Sequence, residues 1–118
     1  EGRLCIQISE EKRSQPISPG KQKAYLKQSW EAYRRVLKTD HTVRDIHTGM
    51  THIGTHQASR LTYTQRFYLG DQIIDLYTER YLLLWGNSLY ILTLTADAQT
   101  KEPYLPAMRQ CLQTFTTY

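Results

Sequence analysis

The chain has 118 residues, of which 40% are apolar, 11% aromatic and 22% charged, a composition that fits one globular domain spanning 1–118 rather than two. Its 15 Lys and Arg against 11 Asp and Glu give a formal charge of +4 with histidine neutral, a modest excess that argues against a dedicated nucleic-acid binder. No window approaches the roughly 18 consecutive apolar residues of a membrane span, the longest wholly apolar run being Tyr81 to Trp85.

A chain of this length buries roughly two thirds of its unfolded surface, enough for one core without staples. Cys5 and Cys111 sit in apolar contexts near opposite ends, in neither CxxC nor zinc-type spacing, and read as small core residues. Whether they pair, and hence the redox compartment, stays open. The positive charge is concentrated in the amino-terminal half, where a solvated helix-and-loop face is the simplest account. The missing initiating Met and leader lead us to expect a mature or trimmed product.

Taken in order, Leu4, Ile6 and Ile8 alternate with Cys5, Gln7 and Ser9, the period of a strand. From Lys21 to Lys38, Leu26, Trp30, Tyr33 and Leu37 recur at helical spacing and predict one amphipathic helix. Ser18 and Pro19 supply an N-cap and a first helical residue. Residues 42–53, rich in Thr, Val, Ile and His, predict a strand fragmented by Gly49 and Gly54. Leu61, Tyr63, Phe67 and Leu69 then share one parity, and Arg60, Thr62, Thr64 and Arg66 the other. Gly70-Asp71 turns the chain back. In the next strand Ile74, Leu76, Leu82 and Leu84 oppose Asp75, Tyr77, Glu79 and Tyr81, before a second tight connection at Gly86-Asn87. Leu89 to Leu94 reads as a central, nearly all-apolar strand. Leu105, Met108, Cys111, Leu112 and Phe115 predict a closing helix with Pro106 in its first turn. The expected architecture is α+β, an antiparallel sheet with two helices packed on one face. The other face carries Tyr68, Tyr77, Tyr81 and Trp85 and is expected to stand partly open.

This order resembles the small α+β domains of the PsbP type, a superfamily that includes the DcrB-like lipoproteins, the Mog-type Ran-binding fold and the Eag-type chaperones of type VI secretion effectors. Its carriers are Leu4 to Ser9, a helix opening with Tyr25-Leu26, Gly54-Thr55-His56-Gln57-Ala58 before Leu61-Thr62-Tyr63, Gly70 to Ile74, Leu89 to Ala96, and a helix ending in Thr114-Phe115. Members usually begin with a further strand pair, which this chain lacks or has lost. The resemblance implies a noncatalytic assembly factor, adaptor, extrinsic subunit or chaperone. Its exported members, periplasmic or lumenal and sometimes lipid-anchored, weigh slightly more than the cytoplasmic Eag type. Peripheral membrane association through a missing amino-terminal segment is compatible with it.

Chemical alternatives are weaker. His41, His47, His52 and His56 are the cluster that could suggest a metal, with His47, His52 and His56 the nearest to a ligand set, but His52 and His56 would lie about 13 Å apart on a strand unless Gly54 bends it, so surface or loop histidines are expected and no metal or other cofactor. No GxSxG element or phosphate loop is present. Asp71, Asp75 and Glu79 read as an exposed strand face rather than an acid-base cluster. Neighbouring Arg and aromatic residues point to opposite faces, which disfavours base stacking. Tyr, Trp and Arg are the types enriched at protein interfaces. Arg66, Tyr68, Tyr77, Arg80, Tyr81 and Trp85 are therefore the expected contact residues of a non-enzymatic, protein-binding domain. A ligand- or metal-binding sensor domain of a larger protein is the alternative. Exposed edge strands also leave self-pairing open.

Overall fold

The structure, a computed structural model, describes residues 4–12, 19–54, 56–85, 88–99, 106, 107, 109 and 110, without the side chains of 4–12, Pro19 and Trp85. Strand β1 (Leu4–Lys12) is followed by helices α1 (Pro19–Gln28) and α2 (Glu31–Lys38). Strands β2 (Val43–Ile53), β3 (His56–Leu69), β4 (Gln72–Trp85) and β5 (Ser88–Asp97) complete the order. All pairings are antiparallel, in the sheet order β1-β5-β4-β3-β2. The class is α+β, as expected, and β5 is an interior strand.

The predicted helix divides into two. At the junction Ser29 donates from both its backbone N–H and its hydroxyl to the Leu26 carbonyl, at 3.3 and 2.6 Å, which ends the α-helical ladder with a tighter turn. The next residue, Trp30, donates its indole N–H to the Ser59 carbonyl of β3 at 3.1 Å. That bond, made by a ring only 7% exposed, pins the junction to the sheet and explains why a stripe readable as one helix bends there. Pro19 opens α1 as predicted; the Ser18 cap lies outside the described residues.

Leu26, Trp30 and Leu37 pack with Leu61, Tyr63, Leu82 and Leu89, which is the parity read from the alternation in β3 and β4. Burial of these side chains is the main drive for this layer. The helix face is also aromatic: Tyr33 lies 6.0 Å from Trp30 and 6.5 Å from Tyr63, ring centroid to centroid. Offset or edge-on contacts of this kind favour a fixed arrangement of the rings. Burial, with Tyr33 beside it, pushes the Tyr63 hydroxyl up to about 12.

The far face is not open. Ile53, Ala58, Tyr81, Leu83, Leu92 and Leu94 form a second buried cluster there, with Tyr77 and Tyr90 against it. Residues 106, 107, 109 and 110 are helical, and the Arg109 side chain reaches Glu79 on this far face. The two helical stretches that share one face are thus α1 and α2, both from the first predicted helix. The rest of the second predicted helix, and Cys111 with it, lies outside the described residues.

Two irregularities shape the far face. Between Arg44↔Thr64 and His47↔Thr62 strand β2 carries one extra residue, and Asp45 takes φ 58 there. This bulge turns Val43 and Ile46 together toward the helix-face core while Arg44 and His47 reach the far face. Just beyond the bulge, β2 pairs with β3 only as far as Gln65, and β5 with β4 only from Leu76. The β3–β4 hairpin therefore projects past its neighbours as a two-stranded arm. Its tip is the two-residue turn Gly70-Asp71 between Leu69 and Gln72. Gly70 has φ 61, as the first position of a type II′ turn demands.

Candidate protein-binding face

Antiparallel register puts opposed residues on the same side of a sheet. On the far face Arg60 stands opposite Tyr81, Thr62 opposite Glu79, Thr64 opposite Tyr77, Arg66 opposite Asp75 and Tyr68 opposite Ile73. Two acid-centred clusters result, four residues apart along β4.

The first is built on Glu79, whose side chain has no exposed surface. Its carboxylate accepts the Tyr81 hydroxyl at 2.5 Å and the Tyr77 hydroxyl at 2.7 Å. It also accepts Arg60 Nη2 at 3.2 Å and Arg109 Nε at 3.1 Å, and pairs with Arg109 Nη2. Arg60 Nε in turn donates to the Tyr81 oxygen at 3.3 Å. Burial alone pushes the Glu79 carboxyl up, but the bonds from Arg109, Tyr81 and Tyr77 outweigh it and hold the group at about 2. Burial and the adjacent carboxylate push the Tyr77 hydroxyl up to about 12, and they raise Tyr81 likewise. Burial works against the Arg60 charge, yet Tyr81 and Glu79 leave its pKa above the ordinary value. The network keeps a buried carboxylate ionised and its donors protonated, an arrangement that fixes the side chains around Glu79.

The second cluster is nearer the arm. Asp75 accepts Arg66 Nε at 2.9 Å and Nη2 at 3.2 Å, together with Arg44 Nη2 at 3.0 Å. Arg66 and Arg44 hold its carboxyl well below the usual range. In each cluster two arginines surround one acid; Arg44 also pairs through Nε with the exposed Asp45 at 3.8 Å, so the excess positive charge lies at Arg60 and Arg109 around Glu79, and the four arginine side chains are between 36% and 47% exposed.

The expected contact residues are spread over three settings. Arg66 and Tyr68 are accessible, Tyr68 at 62%. Tyr77 is half-buried and Tyr81 buried, both held by Glu79, so Tyr81 belongs to the interior while Tyr77 keeps part of its side chain accessible. Arg80 belongs to the helix face: it stands opposite Leu61 with its guanidinium 5.1 Å from the Tyr33 ring centroid, a cation-π contact. Its Nε is buried without a hydrogen-bond partner among the described residues. Trp85 ends β4, and its side chain lies outside the described residues. His47 and His52, five residues apart, fall on opposite faces of β2, and among the described residues no group of three His, Cys, Asp or Glu could hold a metal ion.

Sequence reasoning missed Glu79 as an interior group with Arg60 and Arg109 as its companions, and Arg44 as a partner of Asp75 on the same face. The available signal was Tyr77-x-Glu79-x-Tyr81-x-Leu83, an acid flanked at the same parity by large side chains. It also missed the arm, where Phe67, Tyr68, Leu69 and Ile73 are 39%, 62%, 52% and 58% exposed. A cleft of about 350 Å³ opens between β2 and the Glu79 cluster, with Gly49, Thr51, Ile53, Arg60, Tyr81 and Arg109 among its walls.

No helix among the described residues is long and apolar enough to cross a membrane. Neither a protein-family model nor a curated protein matches the chain. Among solved structures it is similar to the crystal structure of PA94 from Pseudomonas aeruginosa, a protein of unknown function described as a candidate regulator. The TM-score is 0.59 at 17% identity, over 97% of this chain and 85% of that one, a likeness of fold.

Proposed function

We propose that this chain is a noncatalytic, protein-binding accessory domain of the PsbP, DcrB and Mog type, an adaptor, assembly factor or chaperone, that takes its partner at the free end of the β3–β4 arm and the adjoining far face. The carrying observation is the arm itself: Phe67, Tyr68, Leu69 and Ile73 are all exposed on a ribbon with no flanking strand among the described residues. Tyr68 and Ile73 stand opposite one another on the far face, with Phe67 and Leu69 on the reverse of the ribbon, and exposed apolar side chains next to polar groups are characteristic of protein interfaces. Tyr and Arg beside it are the residue types that dominate interface energetics, and Arg66 with Tyr68 supplies both. The rigid Glu79 and Asp75 clusters hold the base of the arm in place, which limits the ordering cost of binding.

The test is site-specific photo-crosslinking from position 68 in cells that make the protein, with the variant Ile73→Asp as control. A discrete protein adduct lost in Ile73→Asp supports the reading. A native domain that gives no adduct at this position sinks it. Both positions are exposed, so neither change should alter stability by more than about 0.5 kcal/mol.

A further inference from the structure

The far face offers a second feature beside the arm, one of charge. From the arm inward it presents Tyr68 and Ile73, then Arg44 and Arg66 around Asp75, then Arg60 and Arg109 around Glu79. The two acids are four residues apart on β4, which is about 13 Å at a rise of ~3.3 Å per residue. Each is already satisfied by its arginines. The bonds to Glu79 use Nε and Nη2 of Arg109, and Nη2 of Arg60, whose Nε goes to Tyr81. No hydrogen bond among the described residues engages Nη1 of either side chain. Both guanidinium groups line the 350 Å³ cleft beside β2. Arg44 gives Asp75 a single Nη2 bond, has Asp45 3.8 Å from its Nε, and is 47% exposed, with no bond from its Nη1 among the described residues.

The cleft is also open for a backbone reason. Gly49 of β2 stands directly opposite Arg60, and a Cβ built there meets nothing within 4 Å. A side chain at this position would occupy the space over the Arg60 guanidinium. Planar guanidinium groups with free N–H donors match carboxylates in geometry as well as charge.

We propose that the far face recognises an extended acidic segment of the partner protein, placing one carboxylate in the cleft at Arg60 and Arg109 and a second, four residues along the segment, at Arg44 and Arg66. The inference rests on the protein-binding reading and names the partner's chemistry. An extended chain carries residues i and i+4 on the same side at the spacing of the two clusters. Residues i and i+3 point to opposite sides, so only one of them can reach the face.

The test uses fluorescence anisotropy with the whole chain and blocked peptides of about eleven residues, with a Thr, Ser and Val background suited to extended conformation. One carries Glu at i and i+4, one Glu at i and i+3, and one Gln at i and i+4. The expected result is binding of the i, i+4 Glu peptide that weakens with salt, at least about tenfold tighter than the Gln peptide and severalfold tighter than the i, i+3 peptide. Gly49→Leu fills the cleft over Arg60 while leaving every side chain of the two acid clusters in the sequence, and Arg44→Gln removes the arginine that binds Asp75 through one nitrogen only. Each is expected to weaken the i, i+4 peptide about fivefold or more, with the far-ultraviolet spectrum unchanged. Equal affinity for the Glu and Gln peptides overturns the proposal, as does undiminished binding by both variants, or tighter binding of oligo-dT than of the Glu peptide. If these peptides fail while crosslinking from position 68 still yields its adduct, the acidic segment is wrong and the protein-binding reading stands. If both fail, both fall.

Discussion

Replacing Glu79 with Gln probes the far-face core most sharply. Glu79 is held at about 2 against an ordinary value of 4.5, and at about 1.4 kcal/mol per unit this means that ionised Glu79 stabilises the fold by about 3 kcal/mol over its protonated form at neutral pH. The conversion is justified because the side chain has no exposed surface. The substitution strands two tyrosine hydroxyls and two guanidinium groups arranged around a charge, although Arg60 and Arg109 are 36% and 45% exposed and can turn to water. We therefore expect a loss of about 3 kcal/mol at pH 7 rather than the 3–5 kcal/mol of a fully enclosed ion pair. For 118 residues that is a fall in Tm of about 12 °C. The folded-state pKa is depressed, so this stability is present above the unfolded value and is lost as pH falls through the folded one. Urea unfolding at a series of pH values should show native protein and Glu79→Gln converging between about pH 5 and pH 2. A variant within about 1 kcal/mol of the native protein at pH 7, with a parallel pH dependence, refutes the argument.

Other expectations follow from the same geometry. Tyr63 and Tyr77 are each raised to about 12 and Tyr81 is raised as well, so their contribution is complete below about pH 10 and lost as pH rises through the folded value; absorbance titration should show these three of the nine tyrosines ionising late or together with unfolding. Trp30→Phe deletes the bond to the Ser59 carbonyl and should cost about 1–2 kcal/mol in chemical denaturation, with Trp30→Leu no milder. Two glycines should behave oppositely in thermal melts. Gly70→Ala places a side chain at positive φ and should lose about 1 kcal/mol, whereas Gly49→Ala enters open space on an edge strand and should be neutral or gain up to about 0.5 kcal/mol.

Much of the sheet is legible in the amino-acid sequence. Side-chain parity in β3 and β4 follows from alternation alone, because a strand has a period of two, and Gly70-Asp71 marks the turn that joins them. The helix stripe is equally plain, but its break at Ser29–Trp30 is not, since it depends on a bond from Trp30 to a residue 29 positions away. Glu79 illustrates the deeper limit. Its parity reads correctly, yet whether that parity faces water or a second core depends on what covers the sheet. Arg109, 30 positions on, supplies part of its compensation, and periodicity carries no information about such distant pairs. Arg80 shows the converse, a charged residue beneath the helices whose partner is the Tyr33 ring, available only once α2 is docked. The bulge at Asp45 is invisible for a related reason, because it is a mismatch between two strands rather than a property of one. Exposure of the arm likewise follows from where β2 and β5 stop pairing, and the sequence of the arm reads like any other amphipathic hairpin.

The central claim is that the partner docks at the arm and the adjoining far face. Photo-crosslinkers placed singly at Tyr68 and at Val36, the latter 65% exposed on α2 at the other side of the sheet, test it in one experiment. The account predicts a discrete protein adduct from position 68 and none from position 36. An adduct from position 36 alone, or none from either, contradicts it.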